Sequence, residues 1–136
     1  MRPDPASAIE ACAWLEKAAQ DLRVAEVDLA ASPPLVEDAA FHAQQAAEKA
    51  LKGFLAAHDR PIRKTHDLVG LGAECVEIDS TLEPLLRRAG ELTEFAWRYR
   101  YPGSPDPLSR GEIVDALELA RQVCDAISAK VAVVGT

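Results

Sequence analysis

Residues 40–52 read Ala40-Phe41-His42-Ala43-Gln44-Gln45-Ala46-Ala47-Glu48-Lys49-Ala50-Leu51-Lys52, and the fold turns on how this stretch is read. Stepped at about 100° per residue, Ala39, Ala43, Ala46, Ala47, Ala50 and Phe54 share one arc, while Asp38, His42, Gln45, Lys49 and Lys52 share the neighbouring one. That is a helix, predicted from about Pro34 to His58. The alanine face lets other helices approach closely. The polar arc gathers two cations, an amide and an imidazole, which suits either a solvated outer face or part of an anion-binding cleft or dimer groove.

Upstream, Leu15, Ala18, Ala19, Leu22, Ala25 and Leu29 recur at three- and four-residue steps, with Glu16, Lys17, Asp21, Arg23 and Glu26 between them. This predicts an amphipathic first helix of about 25 residues. Ser32-Pro33-Pro34 should end it, with Ser32 capping the next helix. Downstream, Pro61 marks a charged loop from Asp59 to Thr65, and Leu68 to Val76 reads as a short helix weakened by Gly70 and Gly72. Ser80-Thr81-Leu82-Glu83 and Ser109-Arg110-Gly111-Glu112 both fit the capping box, in which serine and glutamate satisfy free N–H groups reciprocally. The helix after the first box turns Leu82, Leu85, Leu86, Ala89, Leu92 and Phe95 inward; the last helix turns Ile113, Ala116, Leu117, Ala120, Val123, Cys124 and Ile127 inward. Residues 102–107, with three prolines, form a loop between them. No stretch alternates at period two, so the expected fold is all-α, an up-and-down bundle of four long helices and one short one in a single domain over residues 1–136.

Composition narrows the function classes. The 136 residues carry a formal charge of −7, which speaks against a general nucleic-acid coat or an anionic-membrane binder. Apolar residues make up 49% but aromatics only 5%, so closely packed helices, not aromatic plugs, should build the core, with Trp97 inside it. Cys12, Cys75 and Cys124 lack a CxxC pair and read as small buried residues, and no histidine has a partner at metal-ligand spacing. Nothing resembles a signal peptide or a span of about 18 uncharged apolar residues, so a cytoplasmic location without membrane contact is expected. Glycine-rich phosphate loops, nucleophile elbows and HExxH patterns do not occur, which argues against an independent hydrolase or kinase, and no cofactor is expected.

The 40–52 stretch resembles the central helix motif of HEPN (higher eukaryotes and prokaryotes nucleotide-binding) domains. Trp14-Leu15 with Asp21-Leu22 resembles the first helix of that family, Thr65-His66-Asp67-Leu68 its loop-to-helix motif, and Arg98-Tyr99-Arg100-Tyr101-Pro102 its basic-aromatic segment. The order and spacing agree from about residue 8 to residue 128. The resemblance implies a helical bundle, commonly a homodimer, in proteins often paired with a minimal nucleotidyltransferase in toxin-antitoxin-like modules, some members cleaving RNA. In those ribonucleases about four to six residues separate an arginine from a histidine near the start of the last long helix, the arginine stabilising phosphate charge while the histidine moves a proton. Here the histidine positions after Arg98 hold Gly103, Ser104 and Pro105, and those after Arg100 hold Pro105, Asp106 and Pro107.

No residue is therefore assigned as catalytic. An unconventional pair would draw on His66 with Arg98 or Arg100. Lys49, Lys52, Arg60, Arg63 and Lys64 face only Asp59 between residues 49 and 66, a basic stretch in an acidic chain. Phosphate-binding candidates are His42, Gln45, Lys49, Lys52, Arg63, Lys64, His66, Arg98, Arg100 and Tyr101, the arginines offering forked donors and the tyrosine a stacking face. His66 can instead bond the free backbone groups of the helix start, and the cations can instead neutralise acidic helices. The expected function is binding of nucleotide or RNA phosphate beside a nucleotidyltransferase partner. The alternatives are an RNA-cleaving toxin and a non-catalytic dimerisation or adaptor module.

Overall fold

The structure is a computed structural model and describes residues 4–98, 102 and 107–134. Helix α1 spans Pro5–Ala30, α2 Val36–Ala57, α3 Leu68–Ile78, α4 Glu83–Ala89 and α5 Arg110–Val134, and no strand occurs among the described residues. Two 3-10 segments, Ser80–Leu82 and Gly90–Ala96, flank α4. Both the all-helical class and the helix order agree with the periodicity of the sequence.

Helix α2 is the axis around which the rest is arranged. From Ala39 to Ala57 most of its side chains are buried, because α1, α3, α5 and the second 3-10 segment all pack on it. Its small residues make this feasible: a Cβ added at Gly53 would stand 3.2 Å from Cβ of Trp14 and 3.3 Å from the Ala11 carbonyl oxygen, so α1 lies almost against the α2 backbone. One core cluster draws from all five helices, among them Ala18, Leu51, Phe54, Leu55, Leu71, Leu86, Val123 and Ile127. Cys75 and Cys124 belong to it, and burial pushes both thiols up to about 12. They are inert apolar filling, as the sequence suggests.

Several local expectations are corrected. The turn after α1 closes when Leu35 N–H donates to the Asp28 carbonyl at 2.9 Å, so Leu35, not Ser32, precedes α2, and no side chain caps it. Thr81 takes its cap from Asp79 rather than from a Ser80–Glu83 box; this first turn is wound as a 3-10 segment and the α-helix begins at Glu83. The box at Ser109 does form, with Glu112 N–H donating to Ser109 Oγ at 3.1 Å and Ser109 N–H to Glu112 Oε1 at 3.4 Å. The fourth helix is shorter than its apolar spacing predicts and tightens to 3-10 winding at Gly90, where a Cβ would meet Val69 at 2.9 Å. Trp97, just beyond that segment, is 60% exposed, and Cys12 is exposed on α1, so neither is core.

Candidate anion site

Three polar side chains of α2 are buried in a column. Gln44, Glu48 and Lys52 follow at steps of four, so each reaches the next along one side of the helix. Gln44 Nε2 donates to Glu48 Oε1 at 3.1 Å, and Lys52 Nζ to Glu48 Oε2 at 2.9 Å. Lys52 also lies over the Trp14 ring, 5.5 Å from its centroid, where the π face supplements the carboxylate. A buried carboxylate is expensive unless several donors meet it. Glu48 has a third in His66, whose Nδ1 stands 2.7 Å from Glu48 Oε1.

His66 is held at two points. While its ring meets Glu48, its carbonyl oxygen accepts from Gln44 Nε2 at 3.2 Å. The imidazole nevertheless remains 66% exposed, whereas the Glu48 side chain is 4% exposed. It does not cap the following helix: Asp67 does so, accepting from Val69 N–H at 3.0 Å, so the start of α3 already has its anion.

The outer polar arc of α2 faces α1. Lys49 Nζ lies 2.6 Å from Asp21 Oδ2 and His42 Nδ1 lies 2.8 Å from Asp21 Oδ1, with His42 Nε2 3.5 Å from Asp38. Asp21, expected among the outward polar residues of the first helix, is buried on the inward stripe with Ala11, Ala18, Ala25 and Asp28. Asp28 is 6% exposed and its Oδ2 meets no donor among the described residues; burial first, then the neighbouring Asp38 carboxyl, push its pKa up to about 6 against the opposing pull of His42. His58, tilted against Phe54 at 4.6 Å, is shifted the other way, towards the neutral form, by burial and by Arg60.

The basic stretch is thus met by carboxylates from elsewhere in the chain. Lys49 pairs with Asp21, Lys52 with Glu48, Arg60 with Glu77 and Arg63 with Glu74. Lys64 is exposed and has no ion pair among the described residues. Arg63 lies across the first turn of α3, its Nη2 3.1 Å from where a Cβ on Gly70 would stand, and gives both Nε and Nη2 to Glu74. Arg98 donates to Glu94 at 3.0 Å on the 3-10 segment that also supplies Thr93 Oγ1 to Leu68 N–H at 3.2 Å. Gln45 donates to Gln44 Oε1 at 2.7 Å. The structure therefore brings Arg63, Lys64 and His66 into one loop, with Gln44, Gln45, Glu48 and Lys52 behind it, and places His42 and Lys49 in the α1–α2 seam. Arg100 and Tyr101 lie outside the described residues.

Two members of this cluster, Gln44 and Glu48, escape the sequence reading although both stand in the quoted motif. Their signal is the i, i+4, i+8 series with Lys52 in a helix otherwise filled by alanine. Among the described residues no group of three or more His, Cys, Asp or Glu side chains could hold a metal, and no helix is long and apolar enough to cross a membrane.

Comparison with known proteins places this arrangement. The HEPN domain family matches residues 11–130. The crystal structure of TT1696 from Thermus thermophilus is similar, with a TM-score of 0.75 and 32% identity over 89% of this chain and 98% of that one. No curated protein matches the chain.

Proposed function

The chain belongs to the HEPN domain family, and from that premise we propose that it binds the phosphate of a nucleotide or of RNA at the surface formed by Arg63, Lys64 and His66, with Arg98 just after the second 3-10 segment as a further contact. One observation carries this reading: an imidazole two-thirds exposed is nonetheless anchored through Nδ1 to a buried carboxylate, beside a lysine that has no ion pair among the described residues. The pairing of Arg63 with Glu74 does not oppose it. Exposed pairs of this kind contribute roughly 0–1 kcal/mol, so a phosphate can displace the carboxylate. Arg100 and Tyr101 are the proposed extension of the site, supplying a further guanidinium and a stacking face. Lys49, Lys52 and His42 have the supporting role of holding α2 to its neighbours.

The proposed setting is a homodimer working with a minimal nucleotidyltransferase in a toxin-antitoxin-like module, the arrangement that the family resemblance implies. Calorimetric titration of the intact protein with ATP and with a short oligoribonucleotide at low salt tests the binding. Saturable binding that Arg63→Ala, Lys64→Ala and His66→Ala each weaken, while Lys17→Ala on α1 leaves it alone, supports the proposal. Heat changes without saturation, or equal loss in all four variants, would leave a dimerisation or adaptor module as the better reading. An imidazole backed by a carboxylate is also equipped for proton transfer, which favours the RNA-cleaving alternative to the extent that an arginine reaches the same phosphate. Incubating the protein with labelled RNA, with and without His66→Ala, separates cleavage from binding.

A further inference from the structure

A surface imidazole in a loop ordinarily swings among rotamers and exchanges its proton between two nitrogens. His66 is placed differently, because a buried carboxylate takes its Nδ1 edge and a buried amide takes its carbonyl oxygen, both from consecutive turns of α2. We propose that Glu48 and Gln44 are positioning residues that fix His66 as the Nδ1–H tautomer with Nε2 turned outward, towards a phosphate oxyanion. The ligand in this statement rests on the binding function proposed above; the positioning does not.

The assignment follows from what each group can donate. Glu48 already accepts from Gln44 at Oε1 and from Lys52 at Oε2, so in this array its oxygens serve as acceptors. The neutral imidazole must then keep its proton on Nδ1, leaving a lone pair on Nε2. A tie needed only to anchor the loop would bury the donor along with the acceptor. Here the acceptor is buried while the imidazole that meets it stays two-thirds exposed. The charged side chain that meets this ring is Glu48, itself paired with Lys52, and Arg63, Lys64 and Asp67 neighbour His66 along the chain.

A chemical consequence separates this from a purely structural tie. An Nε2 lone pair repels a phosphate oxygen, so binding requires a proton from solvent on Nε2; Nδ1–H stays on Glu48, no covalent bond breaks, and the imidazolium donates through Nε2–H. Where the free ring is neutral, anion binding through Nε2 therefore takes up a proton, and the carboxylate behind it offsets the new charge.

Long-range proton–nitrogen NMR of the histidine rings reads the tautomer without any ligand. The neutral His66 ring in the intact protein should carry its proton on Nδ1. In Glu48→Gln combined with Lys52→Met, which removes the buried charge pair together, it should revert to a mixture dominated by Nε2–H. Glu48→Asp keeps the charge for Lys52 but shortens the reach to Nδ1, and should give the same reversion in a folded protein. Titration with AMP in two buffers of different ionisation enthalpy should show proton uptake in the intact protein, and affinity about tenfold weaker or worse in both variants. Neutral His66 with its proton on Nε2 in the intact protein, or variants with unchanged tautomer, would overturn the positioning. A locked Nδ1–H tautomer without AMP binding would uphold the positioning and overturn the binding function.

Discussion

Asp28 carries a carboxyl into the α1–α2 seam beside Asp38, and what this costs depends on pH. Its folded-state pKa of about 6 lies above the ordinary 3.8, so the folded protein holds this proton more tightly than the unfolded chain. The stability linked to Asp28 is then fully present below about pH 4 and is lost as pH rises through about 6. Asp28→Asn should raise the thermal midpoint at pH 8 by a few degrees, on the order of 1 kcal/mol, and flatten the stability profile between pH 4 and 6. A scan series across that range checks both effects. Lys52 tests the second seam: Lys52→Met leaves Glu48 short of one donor and should cost about 3 kcal/mol in chemical denaturation, since breaking a buried pair strands its partner. Little of this is legible in the sequence. A helical wheel sorts residues by polarity, so Asp21 reads as outward; the donors that meet it inside, His42 and Lys49, are 21 and 28 residues away, as His66 is 18 from Glu48, and no periodicity encodes such partners.

At the level of elements, α2 and α5 are the most legible, because both carry long apolar spacing and α5 has a start signal in its capping box. Ser109→Ala removes that cap and should lower stability by about 1 kcal/mol, visible as a shift of roughly 3 °C in melting. Gly53 offers the opposite test. By propensity alone, Gly53→Ala in the α2 interior should gain about 1 kcal/mol. The contacts at 3.2 and 3.3 Å instead demand that α1 move away, and the net effect should be destabilisation by about 1–2 kcal/mol in a denaturant titration. The failures at Ser32 and Ser80 have one cause: serine is a competent cap, but whether it is used depends on the geometry of the turn, and Leu35 and Asp79 occupy those positions. Trp97 reads as core because large aromatics usually are buried; the bundle already closes on Leu92 and Ala96 just before it.

Taken as a whole, this acidic protein carries a short basic loop in which Lys64 has no ion pair among the described residues. The charge of −7 makes long-range attraction of a polyanion weak, so affinity must come from short-range contacts, and it should fall as salt screens them. Lys49 and Lys52 are held in partly or fully buried pairs, and the proposed site lies in the loop next to the α2 column that holds His66. Family membership fits a nucleotide- or RNA-related role, and the exposed, carboxylate-backed imidazole is what directs the proposal to this loop. The most direct test is chemical-shift mapping of the isotope-labelled protein titrated with ATP at low ionic strength. The account predicts saturable shifts confined to residues 63–68 and the His66 ring, reversed by added salt, with the Asp21–Lys49 seam unmoved. Shifts scattered over the whole surface, or centred on a face without His66, would contradict it.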